Sequence, residues 1–272
     1  MNKFSISFYY NIFLLKYIFI IILLIFLINF LIYFFTKNIF EGKIFSFFLI
    51  KYLSLVSYIF STTFIIIYIY NYLYIVSQIN LNYYEDKYII LPYFYLLNIN
   101  ISLDLFGIIL LLIALIVGLL SFFALDNKLF WTRSKFIFYL NLFILIVFFY
   151  VATNNILILF LFYEFLLLPS FLLVFFLSPS RKSIQASLYF VIWTQIGSFL
   201  VLTVVFYIIS ITGVTSLFLI KNYNFNSLEI YFLSLVLFLG FGFKIPIWPF
   251  HYWLTKTHVE APSGFSMYLS GF

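Results

Sequence analysis

The stretch LEIYFLSLVLFLGFGFKIPIWPFHY, Leu228 to Tyr252, combines a long apolar run with one lysine and two prolines. It is long enough to cross a bilayer, because a spanning helix needs about 20 apolar residues. Lys244 lies past its middle, and Pro246 and Pro249 follow directly. The stretch therefore predicts a membrane-spanning helix that carries a charge and is broken by proline near its end.

The rest of the chain has the same apolar character. Of its 272 residues, 66% are hydrophobic and only 8% are charged, whereas a soluble domain is about half apolar and a quarter charged. This excess excludes a water-soluble fold and predicts an all-α polytopic membrane protein with about seven to eight transmembrane helices. The apolar runs do not alternate with polar residues, so a strand-based barrel is disfavoured. Helices are predicted over residues 8–35, 45–76, 101–124, 135–152, 155–177, 184–210 and 228–252, and an eighth begins near Pro262.

Several kinds of site are excluded by residue counts. The chain has no cysteine and two histidines, so disulfides, iron–sulfur clusters and zinc sites are not expected. Short loops leave no room for a soluble flavin or nucleotide domain. The positive charges stand singly between apolar runs, unlike a nucleic-acid-binding surface. We therefore expect neither cofactor nor metal on this chain, and the lipid bilayer rather than nucleic acid around it.

The charged loops predict an orientation. Most basic residues fall in the odd-numbered loops, and the even-numbered loops hold only Lys87 and Lys221. The positive-inside rule then places the odd loops in the matrix or cytoplasm and the N-terminus on the opposite side, the intermembrane space in a mitochondrion. The basic residues of the odd loops are Lys37, Lys43, Lys128, Arg133, Lys135, Arg181, Lys182 and Lys256.

Two charges fall inside predicted spans. Glu164 lies near the middle of the fifth, and Lys244 past the middle of the seventh. A charge at the bilayer centre costs about 2.5–3.5 kcal/mol even on the gentlest scale, and such residues usually pair and mark ion or proton paths. Gly240 and Gly242 precede the prolines of the seventh span, and broken helices near the midplane are where transporters place their sites. Both functions remain open: a proton path, or an ion pair that only joins two helices.

The two histidines follow at regular intervals. His251 and His258 come 7 and 14 residues after Lys244, and a spacing of seven keeps residues near one helical face. If the helix continues, the three groups could form a proton relay. His258 stands beside Glu260 in a polar stretch and could equally lie at the membrane interface.

A polar stripe runs along the sixth span. Ser187, Thr194 and Ser198 share one face, with Gln195 and Gly197 beside them. Such a stripe can line a water path or pack helices through small residues and hydrogen bonds, and packing is the favoured interpretation.

These motifs together resemble the antiporter-like membrane subunits of respiratory complex I, most closely subunit 4. The strongest match is FKIPIWPFHYWLTKTHVEAP, Phe243 to Pro262. YEFLLLP (Tyr163 to Pro169), WTQIGS (Trp193 to Ser198) and SLDLFG (Ser102 to Gly107) resemble helix-five, helix-six and helix-three segments of that family. The resemblance covers residues 101–272 as an antiporter-like core, helices three to seven and the start of helix eight. Residues 1–100, two helices and a loop, match in hydropathy only.

The resemblance implies a function. Glu164 and Lys244 match the family's essential charged pair, and His251 and His258 match histidines on the same path. The chain would then be a subunit of the proton-pumping NADH:ubiquinone reductase of the mitochondrial inner membrane, with quinone reduction elsewhere and no redox chemistry of its own. Other membrane-arm subunits are its implied partners.

The sequence departs from the family pattern in two places. Thr255 stands where the family has a proline. The chain also stops near the family's central helix-eight lysine, so the second inverted repeat is lacking. The resemblance therefore implies a split subunit whose remaining helices come from a second polypeptide.

Two other functions remain open. Subunits of stand-alone multisubunit cation/proton antiporters share these motifs, and sodium-dependent transport would distinguish them. A non-transporting membrane scaffold is the third possibility. The buried charges argue against a scaffold, because it could dispense with their cost.

Overall fold

The chain divides into two compact units, residues 1–153 with 271–272, and residues 154–270, and each is considered by itself. The predicted boundary at residue 100 marks where the motif resemblance begins. As a domain boundary it stays a prediction. The computed structural model describes Leu27 and residues 52, 55–56, 59, 61–63, 65–67, 89–90, 102–103, 105–124, 130–177, 180–261 and 263–271.

In the first unit, the two predicted N-terminal spans lie almost wholly outside the described residues, and the few described positions within them are helical. Two short strands, β1 (Ile89–Ile90) and β2 (Ser102–Leu103), pair antiparallel, which the sequence did not predict. Two apolar helices follow, α1 (Leu105–Phe123) and α2 (Phe130–Ala152). They pack closely, since a methyl group on Gly107 of α1 would lie 2.6 Å from Val151 Cγ1 of α2.

Most described residues of the second unit are helical, and the unit contains all four predicted site residues. Its helices are α3 (Ile156–Phe165), α4 (Leu167–Leu177), α5 (Arg181–Thr212), α6 (Leu217–Lys221), α7 (Ser227–Lys244), α8 (Tyr252–Glu260) and α9 (Ser263–Gly271).

The predicted fifth span forms two successive helices, α3 and α4, which meet at Leu166. Pro169 has no N–H to donate to the carbonyl of Phe165, so the hydrogen-bond ladder is interrupted there. At the other end, the side chain of Asn155 accepts a hydrogen bond from Leu157 N (3.0 Å) and caps α3. Its amide also donates to Thr215 Oγ1 (3.1 Å), which ties the start of α3 to the loop after α5.

The predicted sixth span is helix α5, somewhat longer than expected. It has 32 residues, which at 1.5 Å per residue is about 48 Å, more than the hydrocarbon core of a bilayer. Ser180 caps its start by accepting a hydrogen bond from Ser183 N (3.0 Å). Gly213 ends it with φ of 68°, a conformation that glycine adopts without strain.

The predicted seventh span, 228–252, is broken as expected but ends earlier, at Lys244. Ile245 has an extended backbone, because the ring of Pro246 disfavours the helical conformation of the residue before it. A turn with a cis Trp248–Pro249 peptide leads to the short helix α8, which the sequence did not predict. The eighth helix begins next to Pro262 as predicted, since α9 starts at Ser263.

The described helices confirm the fold class. Three are long and apolar enough to cross a membrane, over Ile156–Phe175, Arg181–Thr212 and Ser227–Lys244, and two shorter apolar helices cover Phe106–Ser121 and Phe136–Ala152. Apart from the short β1–β2 pair, the chain is an α-helical membrane protein that crosses the bilayer several times, and its predicted seventh helix is broken at proline.

Candidate functional site

The two charges predicted inside the membrane lie together. Lys244 Nζ, at the end of α7, is 3.5 Å from Glu164 Oε1, near the end of α3. Their side chains are only 18% and 20% exposed, respectively. An ion pair in a low-dielectric setting is attracted far more strongly than one in water, but both charges lose hydration. The two residues are 80 positions apart in the sequence, and the packing of the helices brings the predicted pair together.

Tyr163 holds the lysine from a second side. Lys244 Nζ lies 3.1 Å from the centroid of the Tyr163 ring, and it donates a hydrogen bond to the carbonyl of Tyr163 (3.4 Å). The negative face of an aromatic ring attracts an ammonium group, more so where water is excluded. Phe241 packs edge-on against the same ring at 6.0 Å. The ammonium thus contacts both a carboxylate and an aromatic face, and Tyr163 is a site residue that the sequence did not predict.

Gln195 of α5 binds the other oxygen of the carboxylate. Its amide Nε2 donates to Glu164 Oε2 at 3.0 Å, and Ser198 Oγ lies 3.2 Å from Gln195 Oε1. In the sequence, Gln195 stands out only as a neighbour of the polar stripe. A long polar amide within a 32-residue apolar helix was the available signal.

The polar stripe itself bonds to its own helix. The hydroxyls of Ser187, Thr194 and Ser198 donate to backbone carbonyls three or four residues earlier in α5. All three residues are buried. In the described residues these hydrogen bonds join no second helix, so helix packing by the stripe stays a prediction, and Ser198 also reaches the Gln195 amide.

A close helix crossing places α5 beside α7. A methyl group on Gly197 would lie 2.5 Å from the carbonyl oxygen of Gly240, and one on Gly240 would lie 3.1 Å from that of Gly197. Small residues let two helix backbones approach in this way in membranes. Gly197 follows Gln195 by two residues and Gly240 precedes Lys244 by four, so the crossing lies close to both side chains that contact Glu164.

The break after Lys244 leaves helix carbonyls to satisfy, and Trp253 of α8 binds one of them. Its indole Nε1 donates to the carbonyl of Phe243 at 2.9 Å. The indole is buried and packs against Phe190 of α5, with ring centroids 5.1 Å apart. Unpaired backbone groups are costly at membrane depth, so this bond stabilises the end of the helix that carries the lysine.

The two histidines are not on one face with the lysine. The predicted relay required a continuous helix, and that condition is not met because α7 ends at Lys244. His251 is exposed directly before α8, and His258 is half-buried in the last turn of α8. Neither imidazole makes a hydrogen bond or ion pair within the described part of the chain. Their place on a path stays a prediction.

Glu260, at the end of α8, makes a polar contact with Ser180 that the sequence did not predict. Its Oε2 accepts a hydrogen bond from Ser180 Oγ at 3.1 Å. Ser180 is also the N-cap of α5, so the carboxylate lies at the positive end of a helix dipole, where negative charge is favoured. This contact links the segment after the break to the start of α5.

The described residues contain no group of three histidine, cysteine, aspartate or glutamate side chains that could hold a metal ion. The prediction that no cofactor binds this chain remains a prediction.

Comparison with known proteins gives a consistent result. Residues 153–272 match the family model described as NADH:quinone oxidoreductase/Mrp antiporter, TM. NADH-ubiquinone oxidoreductase chain 4 of Paramecium tetraurelia is 47% identical over 176 residues, which are 64% of this chain and 37% of the relative. The same chain of Chondrus crispus is 37% identical over 49% of this chain and 28% of the relative. The matched region thus spans roughly a third of the length of these curated relatives.

The fold has a solved counterpart. A chain in the structure of the membrane-bound sulfane sulfur reductase, an archaeal respiratory membrane complex, superposes with a TM-score of 0.71 at 19% identity. The match covers 94% of this chain and 50% of the archaeal one.

The sequence relatives and the family model confirm the resemblance that the motifs indicate. The chain is similar to chain 4 of NADH-ubiquinone oxidoreductase, and its residues 153–272 match the membrane domain named for NADH:quinone oxidoreductase and Mrp antiporter.

Proposed function

We propose that this chain is a proton-translocating membrane subunit of mitochondrial NADH:ubiquinone oxidoreductase. The observation that carries the proposal is the ion pair between Lys244 and Glu164 within membrane-spanning helices. A membrane protein that only needed to hold two helices together could do so with apolar packing at lower cost. A retained ion pair supplies two groups that can gain or lose a proton at membrane depth.

The proposed mechanism uses the pair as a proton station. While the pair is closed, the positive charge of Lys244 is held by Glu164 and by the Tyr163 ring. A charge that approaches or leaves on one side changes the attraction across the pair, and a proton moves on or off Lys244 in response. His251 and His258 are proposed as further stations, because imidazole exchanges protons near neutral pH.

The chain would supply the proton path and no redox chemistry. NADH oxidation and quinone reduction are assigned to other subunits, which are its proposed partners, with no redox cofactor on this chain. The proposed location is the mitochondrial inner membrane, with the N-terminus on the intermembrane-space side as the loop charges predict. A second polypeptide that carries further helices also remains a prediction.

The test is a pair of neutralising substitutions in the assembled complex, reconstituted into liposomes. Lys244→Met and Glu164→Gln should each lower the number of protons moved per NADH oxidised, with the chain still present in normal amount. Lys221→Met is the matched control, because Lys221 is exposed in α6 and belongs to no ion pair in the described residues. Unchanged proton movement in both site variants would sink the proposal and favour a scaffold.

A second candidate is a cation/proton antiporter subunit, because the matching family model names both NADH:quinone oxidoreductase and Mrp antiporter. The same membrane preparation distinguishes the two. Sodium-dependent proton exchange without NADH would favour the antiporter, whereas proton movement that depends on NADH and quinone favours the first candidate.

A further inference from the structure

The two carboxylate oxygens of Glu164 have different hydrogen-bond partners. Oε2 accepts a hydrogen bond from Gln195 Nε2 at 3.0 Å. Oε1 lies 3.5 Å from Lys244 Nζ and is buried, without a hydrogen bond in the described part of the protein. One oxygen is therefore fixed by a donor, and the other keeps free lone pairs and faces the lysine.

The orientation of the Gln195 amide follows from its neighbours. Ser198 Oγ lies 3.2 Å from Gln195 Oε1 and 3.0 Å from the backbone carbonyl of Gln195, and it shares its one proton between these two oxygens, while Gln195 Nε2 donates to the carboxylate. With the amide turned over, a carbonyl oxygen would face a carboxylate oxygen, and two acceptors would oppose each other. The carboxylate and the shared serine proton together favour the one orientation that gives Glu164 a donor.

We propose that Gln195, oriented by Ser198, is a positioning residue that fixes Oε2 of Glu164 and leaves Oε1 as the oxygen that exchanges a proton with Lys244. This inference rests on the proposed function, which it deepens by assigning the exchanging atom. The contact to Oε2 is a donated hydrogen bond, and such a bond stabilises an oxygen that carries no proton. A proton that reaches the carboxylate is therefore directed to Oε1.

The proposed step balances without any further reactant. The N–H bond of the Lys244 ammonium breaks, an O–H bond forms at Glu164 Oε1, and a neutral amine and a neutral carboxylic acid result. At 3.5 Å the two atoms are farther apart than in a hydrogen bond between charged groups. The step therefore needs either a small movement of Lys244 Nζ toward Oε1 or one bridging water. A carboxylate held by Gln195 keeps Oε1 in position to receive the proton.

The deciding experiment uses the assembled complex that contains the full chain. Gln195→Met keeps the length and helix preference of the side chain but removes the donor. Thr194→Val is the matched control, because Thr194 is the buried neighbour whose hydroxyl bonds only to carbonyls of its own helix. The two readouts are the rate of proton translocation and the infrared band of the Glu164 carboxyl group, identified by its loss in Glu164→Gln.

Gln195→Met should shift the Glu164 band and slow proton translocation at least about tenfold, as expected for a lost hydrogen bond to a charged group. Thr194→Val should change neither readout. Ser198→Ala should give a smaller band shift in the same direction. The Gln195 amide loses the donor that helps to orient it, but its Nε2 can still reach Glu164 Oε2. This third variant also decides the matter if Gln195→Met fails to assemble.

The outcomes separate the inference from the proposed function. An unchanged Glu164 band in Gln195→Met, or in Ser198→Ala if only that variant assembles, overturns the positioning role even if Lys244→Met still abolishes pumping. An equal shift in Thr194→Val also overturns it, because the effect would then be general packing. If the band shifts as expected but Lys244→Met pumps normally, the hydrogen bond from Gln195 to Oε2 stands, while both the proposed proton path and the exchange between Oε1 and Lys244 fail.

Discussion

Gly197 of α5 and Gly240 of α7 lie back to back, so that neither position has room for a side chain. A methyl group at residue 197 would meet the carbonyl oxygen of Gly240 at 2.5 Å and Phe243 Cβ at 2.8 Å. Backbone and a Cβ atom cannot move aside as the end of a flexible side chain can. The crossing therefore sets the spacing between the helix that carries Gln195 and the helix that carries Lys244.

Gly197→Ala should destabilise the protein and disturb the ion pair. Overpacking of this kind costs about 1–3 kcal/mol, and the displaced α7 would move Lys244 from Glu164. Thermal unfolding of the purified complex and proton translocation both measure the effect. Gly242→Ala is the control, because a methyl group there would lie 3.7 Å from Ile247 Cδ1, an ordinary contact. Equal behaviour of the two variants would show that the crossing does not set the spacing.

Lys244→Arg should preserve the ion pair but stop proton translocation. A guanidinium group keeps the positive charge beside Glu164 and can lie over the Tyr163 ring, so assembly should be normal. It does not release its proton in proteins. Proton movement per NADH oxidised should therefore fall as far as in Lys244→Met. Normal pumping by the arginine variant would show that deprotonation of Lys244 is not part of the cycle.

The sequence predicts the two charged residues of the site but not the residue that binds the carboxylate from the other side. A charge in an apolar span is conspicuous because of its cost, so Glu164 and Lys244 can be found without a structure. The amide of Gln195 carries no such cost, and its contact with Glu164 depends on how α3 and α5 pack. The alignment of His251 with Lys244 fails for a local reason, since the proline at 246 ends the helix that the spacing argument needs.

Ser180→Ala should loosen the link between α8 and the start of α5. The variant loses the cap on Ser183 N and the donor to Glu260 Oε2, and loss of an N-cap costs about 0.5–2 kcal/mol. A lower unfolding temperature of the complex would report it. Ser210→Ala is the control, because Ser210 is exposed and its hydroxyl bonds to the carbonyl of Tyr207 within its own helix. Equal stability of the two variants would remove the capping role.

Trp253→Phe should weaken the end of α7 while it leaves most of the aromatic packing in place. The phenyl ring can still pack against Phe190, but the carbonyl of Phe243 loses the hydrogen bond that the indole donates at 2.9 Å. A buried backbone group left unpaired costs about 1–3 kcal/mol. Because Phe243 directly precedes Lys244, proton translocation should fall together with the unfolding temperature.

The control for that variant is Trp248→Phe, because the Trp248 side chain is 80% exposed and lies in the turn after the break. It should change neither the unfolding temperature nor the pumping rate by a comparable amount. If Trp253→Phe is as stable as the parent protein and pumps normally, another donor must satisfy the Phe243 carbonyl. The broken helix would then hold Lys244 in place without the indole, and the ion pair with Glu164 and the Tyr163 ring would suffice to position it.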